Sequence, residues 1–475
     1  HVTWKREALT KVHCSTDQKC NDVDEETGEL KYPDPRTGEP INFNFLPTYA
    51  SEGLGVMAHT VQVYSFDDPT ARAYGNNNFS YMSDYMMFES GASNRDVLYY
   101  GETAYWVNVD VDVPLFLPLS GQRRLYDLRK TAHLELQNNL KTQGQMNFES
   151  GWEFGYYLSN VVTARAAWDP LLSVSDDWLA FRLALRPVVS MFGEYAESVT
   201  NAIVDLSKVQ ADVFVQGRVR GRPSVDLSKL SGHAYMSGSD TWVDVPRMMG
   251  LSFTQPDKVH LTESDDPLWT DALEVLRELE RVLEDQYEVF REILLQAKSG
   301  LNEDALGYLE ELVDCVEILS LRAAFNHKIY QSQDPATPPA RKTALLLESR
   351  STLYRAGDIM QRRADNFRVP VDRIAGWRQN PTVYPYGYVW AAKSLYYWWR
   401  DQGIAELQSD AAGSPCYLNR MEPLELVVGW GKALEQAIRL ALKAKGKESN
   451  ETTVAAQIAD CFAPPLMEFR FPRDL

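Results

Sequence analysis

The run Asp96-Val-Leu-Tyr-Tyr-Gly-Glu102-Thr-Ala-Tyr-Trp106, continued by Val107-Asn-Val-Asp110-Val-Asp112-Val-Pro-Leu-Phe-Leu-Pro-Leu119, decides how this chain is read. Its first half is a short apolar strand that delivers one carboxylate, Glu102, into a cluster made by Tyr99, Tyr100, Tyr105 and Trp106. Val113 to Leu119 reads as another strand. Upstream, Val56 to Tyr64 is rich in β-formers and stops at Ser65-Phe-Asp67-Asp68-Pro69. Downstream, Arg123 to Leu140 has helical spacing and Gly144 to Glu149 reads as a short strand. Strands that alternate with helices and are apolar on both faces predict a parallel sheet or barrel.

Beyond about residue 170 the period changes. Val275, Leu276, Leu279, Val282, Leu283, Tyr287, Phe290, Ile293 and Leu294 form one helical stripe within Leu273–Leu295. Ala305 to Tyr330 and Lys342 to Asn366 repeat it, with Pro338-Pro339 as the break between them. Tyr388 to Arg400 and Leu424 to Lys443 extend the helical tract, and short connections predict antiparallel neighbours. The sequence divides into a polar surface excursion at 1–50, a β/α portion at 51–170 and a helical domain at 171–475. A small β element fits 211–262. Only about four strands precede the helices, whereas a complete (β/α)8 barrel takes roughly 200–250 residues. The expected fold is therefore α/β plus all-α: the second half of a (β/α)8-type barrel followed by a large helical domain.

Composition narrows the function classes. Of 475 residues, 48 are Lys or Arg and 66 Asp or Glu, a formal net charge of −18. Such an acidic chain is a poor partner for nucleic acid, whose phosphates require a basic face, and for anionic membrane surfaces. No run of 18 apolar residues marks a transmembrane helix. The chain opens on His1 without a charged and then apolar leader, and reads as a mature, processed or partial form. Cys14 and Cys20 enclose a short loop and suit a disulfide. Cys315, on an amphipathic helix, is a buried thiol or a partner of Cys416 or Cys461. The sequons at Asn78 and Asn450 permit N-glycosylation. Together with the loop-closing cysteines they point to a secreted or extracellular protein, a lysosome-like compartment included.

The chemistry candidates are carboxylates. Glu102 ends a strand, the position a catalytic group takes on a β/α scaffold. Glycoside hydrolysis uses two carboxyl groups, one as acid and one as base or nucleophile. Asp67, at the end of the first strand, and Glu149, at the end of the last, are the partner candidates. Tyr64, Tyr100, Trp106 and Trp152 are placed to stack on sugar faces. Each has a plainer reading: Glu102 as a loop anchor amid core aromatics, Asp67-Asp68 as a turn before Pro69, and Glu153 as a complement to a helix dipole. Asp110 and Asp112 read as loop residues. The seven histidines show no HExxH spacing, and no Walker, dinucleotide-binding or Gly-x-Ser-x-Gly pattern follows a strand. Neither a metal nor a cofactor is expected.

The stretch Gly151-Trp-Glu-Phe-Gly-Tyr-Tyr-Leu-Ser-Asn-Val-Val-Thr-Ala-Arg-Ala-Ala-Trp168-Asp-Pro170 resembles the closing segment of certain glycoside hydrolase barrels. In the α-glucuronidase and N-acetylglucosaminidase groups a last barrel strand leads into a helix ending near Trp-(Asp/Asn)-Pro, and a helical domain follows. The resemblance spans roughly residues 50–190. It implies glycan hydrolysis by paired carboxylates at strand ends, with carbohydrate as partner. An N-terminal fragment of the same precursor, or another subunit, would complete the ring. The competing expectations are a noncatalytic extracellular protein that binds glycan or serves as a structural subunit, and an all-helical toroid lyase or hydrolase whose 382–400 aromatics line the groove.

Overall fold

A computed structural model describes residues 9–10, 27, 38, 43–51, 53–60, 64–68, 79–91, 95–102, 116–148, 153–216, 269–367, 398, 401–402 and 405–406. Within them the chain forms a parallel sheet of four strands in sequential order: β1 (Leu9–Thr10), β2 (Gly55–Thr60), β3 (Val97–Glu102) and β4 (Gly144–Phe148). Helix α1 (Ser80–Gly91) joins the β2 and β3 segments and packs on both strands. Helix α2 (Leu119–Asn138) lies between β3 and β4, and α3 (Glu153–Trp168) follows β4 and packs on α2.

The second half of a (β/α)8-type barrel expected from the sequence is not what these residues build. After α3 the described residues run through helices: α4 (Asp177–Ala184), α5 (Arg186–Val189) and α6 (Ala196–Gln210). Among the described residues strand β4 is the end of the sheet, with Gly144, Met146 and Asn147 exposed. A barrel strand is buried on both faces, and Gly144-Gln-Met-Asn-Phe148 is too polar for that. One further correction and one addition follow. Leu119, expected to end a strand, begins α2 instead. Leu9–Thr10, inside the presumed surface excursion, pairs with Gly55 and Val56. Of the proposed β element at 211–262, Ala211–Val215 is a π-helical turn that extends α6 and residues 217–262 lie outside the described residues.

The long helices follow the apolar stripes. Helices α7 (Trp269–Ala297), α8 (Glu303–Gln333) and α9 (Pro339–Phe367) pack in sequence. Asn302 caps α8 by accepting from the Ala305 amide at 2.9 Å. Ion pairs fix the antiparallel seams. Glu280 of α7 meets Lys328 (2.9 Å) and His327 (2.5 Å) of α8, while Glu317 meets Arg355 (2.8 Å) and Asp314 and Glu311 meet Arg362 and Arg363 of α9. This bundle packs on the preceding helices through Tyr308 of α8, which stacks on Phe192, between α5 and α6, and meets Tyr157 of α3 edge-on. Cys315 is a buried free thiol, and Trp398, the described member of the 382–400 aromatic run, stacks on Phe325 of α8. Among the described residues no helix is long and apolar enough to cross a membrane.

A buried ion pair clamps the amino-terminal side of the sheet. Arg95, just before β3, lies 2.9 Å from Glu89 of α1. Its guanidinium also donates to the carbonyls of Thr48, Ala50, Ser51 and Leu54. One side chain thus ties together four carbonyls between Thr48 and Leu54, of which Ser51 also accepts from the Leu54 amide at 2.9 Å. Arg95→Met leaves Glu89 as an uncompensated buried charge and is expected to cost about 3–5 kcal/mol of stability in chemical denaturation.

Candidate functional site

The carboxyl ends of β2 and β3 present two different faces, because side chains alternate along a strand. Register pairs His59 with Tyr100 and Thr60 with Gly101. On one face stand His59, Tyr100 and Glu102. On the other stand Thr60, Tyr99 and Gly101, covered by α2.

On the first face Glu102 is 5 % exposed, and its Oε1 lies 3.1 Å from His59 Nε2. With a proton on Nε2 the imidazole donates to the carboxylate and fixes its orientation. The His59 ring stacks on Tyr100 at 4.8 Å between centroids. Burial, and then the Glu102 charge, push the Tyr100 hydroxyl up to about 12, so the phenol is a neutral donor across the physiological range. A buried acid, an imidazole and a phenol therefore converge at the strand ends. Such a set can hold a proton and hydrogen-bond a hydroxylated ligand.

The opposite face is a buried polar network rooted in α2. Arg124, fully buried, donates to Thr60 Oγ1 at 2.7 Å and to the Tyr64 carbonyl, and sits 3.4 Å from Asp127. Asp127 accepts from the Phe66 amide at 2.8 Å and from the Tyr99 hydroxyl, which is 2.7 Å from Thr60. Burial pushes the Asp127 carboxyl up to about 6, against the lowering effects of Arg124, Tyr99 and the Phe66 amide; Asp68 adds to the rise. Tyr99 is driven well above its ordinary range, chiefly by burial.

These contacts hold the turn at 64–68 that follows β2. Arg123 pairs with Asp68 at 2.8 Å, and Asp68 accepts from the Ser65 amide at 3.0 Å. Lys130 and Tyr126 both reach Asp67, at 2.6 Å each. Burial raises the Asp67 carboxyl, but the hydrogen bonds from Lys130 and Tyr126 outweigh it and hold the group below its ordinary range. The start of α2 is tied as well: Gln210 of α6 accepts from the Leu119 amide at 3.4 Å and donates to the Phe116 carbonyl at 2.7 Å.

Of the residues singled out from sequence, the structure brings Glu102 and Tyr100 together. Asp67 stands on the α2 side in its ion pair, and Tyr64 is buried in the core. Glu149, Trp106, Trp152, Asn78, Asn450, Cys14, Cys20, Cys416 and Cys461 lie outside the described residues. His59, Thr60, Arg124 and Asp127 escaped the sequence reading. The available signal was Gly101, since glycine inside a strand marks a close approach. Among the described residues no group of three or more His, Cys, Asp or Glu is arranged to hold a metal ion. Comparison with protein families, curated proteins and solved structures found no match.

A Cβ at position 101 would fall 2.6 Å from Arg124 Nη1 and 2.8 Å from its Cδ. Gly101→Ala is therefore expected to displace the guanidinium and lower stability by about 1–3 kcal/mol, read as a shift in the denaturation midpoint.

Proposed function

We propose that the carboxyl edge of the sheet handles carbohydrate, with Glu102 as a catalytic carboxylate in glycoside hydrolysis and His59 as the group that orients it. The observation that supports this reading is the buried Glu102–His59 contact of 3.1 Å at adjacent strand ends, flanked by the Tyr100 ring. Ligands of parallel α/β sheets enter at this edge. A tyrosine face and a neutral phenol suit the apolar ring faces and the hydroxyls of a sugar. In the reaction one carboxyl group protonates the leaving oxygen while the other attacks the anomeric carbon or activates water. Glu102 supplies one of these roles. The secretory setting suggested by the two sequons accords with a glycan substrate.

One observation favours a second reading, noncatalytic glycan binding. Asp67, a candidate for the second carboxylate, is already engaged by Lys130 and Tyr126. Hydrolysis of a panel of aryl glycosides and oligosaccharides by the wild-type chain and by Glu102→Gln separates the two. The catalytic reading expects turnover to fall about 100-fold or more in the variant with the fold retained. Wild-type turnover in Glu102→Gln overturns it, and glycan binding by the wild type without any turnover supports the second reading.

A further inference from the structure

Glycoside hydrolysis asks opposite things of its two carboxyl groups: one must carry a proton and the other must be ionised. The surroundings of Glu102 bear on which it is. Its Oε1 shares a hydrogen bond with His59 Nε2 at 3.1 Å, and both side chains are buried. An imidazole ordinarily holds a proton about two pH units higher than a carboxyl group does. The shared proton therefore belongs on nitrogen, and the oxygen accepts. The Tyr100 ring lies along the imidazole, 4.8 Å between centroids and 20° between planes. An aromatic face attracts a cation, so this stack also favours a protonated ring. The β2–β3 register builds the arrangement, setting His59 opposite Tyr100 and Glu102 two residues on, along the same face.

We infer that Glu102 works as the ionised carboxylate of the reaction, and that a separate group donates the proton to the leaving oxygen. This rests on the hydrolase reading and fixes the role that reading leaves open. His59 is a positioning residue, which keeps the proton off Oε1 and holds the carboxylate in one orientation. Asp67 is not the missing donor, because its carboxylate accepts from Lys130 and Tyr126 on the α2 side.

The incoming oxygen is either a Glu102 oxygen or that of a water whose proton Glu102 accepts. Its bond to the anomeric carbon forms as the glycosidic C–O bond breaks, and the electron pair departs with the aglycone oxygen. If Glu102 attacks, a water then displaces it, restores the carboxylate and gives its proton to the spent donor. A sugar aglycone needs the donor's proton in order to leave, whereas a dinitrophenolate leaves without one.

That difference supplies the test. The intact chain and Glu102→Gln are assayed on two glycosides of the same sugar, one with a dinitrophenyl aglycone and one with a sugar aglycone. Loss of the ionised carboxylate should lower kcat on both by about 100-fold or more. If the variant keeps dinitrophenyl turnover within about tenfold of wild type while losing the other substrate, Glu102 is the proton donor and the inference is overturned. A second measurement uses the wild-type chain with nitrogen-15 in its seven histidines, the His59 signals being those that vanish in His59→Gln. Nuclear magnetic resonance should show a hydrogen on His59 Nε2, and a bare Nε2 overturns the inference. This readout still decides if Glu102→Gln does not fold. A wild-type chain that cleaves neither glycoside removes the hydrolase reading itself, which is distinct from a wild type that cleaves both and a variant that spares one.

Discussion

The carboxyl edge of the sheet depends on a charge pair that α2 carries into the interior. Arg124 and Asp127 are both fully buried and 3.4 Å apart. Bringing two charges out of water costs several kcal/mol per ion, and their mutual attraction offsets this only when further hydrogen bonds satisfy both groups. Here Thr60, the Tyr64 carbonyl, the Phe66 amide and Tyr99 surround the pair, and Arg124 Nε is the one polar atom of it without a hydrogen-bond partner among the described residues. Every one of those partners belongs to β2, to β3 or to the turn at 64–68. The requirement to satisfy one buried pair thereby dictates where the ends of β2 and β3 lie, and with them His59 and Glu102.

The two faces of the sheet divide the labour. The α2 side carries positioning groups, and its closeness is possible because Gly101 has no side chain to keep the guanidinium away. The other side carries the acid, the imidazole and the phenol. At the opposite end Glu89 and Arg95 perform a similar anchoring of the 48–54 turn with a second buried pair. Buried polar pairs hold both ends of this sheet over its apolar core, and the α7–α9 bundle combines an apolar interior with ion pairs along its seams.

What was legible in the sequence follows from that difference. The stripes from Val275 to Ile293 and from Leu309 to Leu319 are apolar at helical period and announce their helices directly. The strands at 55–60, 97–102 and 144–148 were also legible, as was Glu102 at a strand end. The barrel was not a sound inference, because strand counting treats every β/α unit as part of a ring, and polar β4 is the sheet's end among the described residues. The positioning network was illegible for a physical reason. Ser120, Arg124, Asp127 and Thr131 recur at helical spacing as a polar stripe, which reads as a solvated face, yet all four are buried. Pattern reading assigns polar faces to water and cannot see that a facing sheet supplies the partners. Likewise His59 sits in an apolar strand where an isolated histidine carries no signal, until β3 brings Glu102 to it.

The central claim is that Asp127 and Tyr99 act as one unit joining helix to sheet. A double-mutant cycle of Asp127→Asn and Tyr99→Phe, measured by chemical denaturation, tests it most directly. The account predicts strong non-additivity, with a coupling energy of about 1–3 kcal/mol, since Tyr99→Phe removes the hydroxyl and Asp127→Asn replaces the charged acceptor by a neutral amide. Additive losses, within about 0.5 kcal/mol, would contradict it.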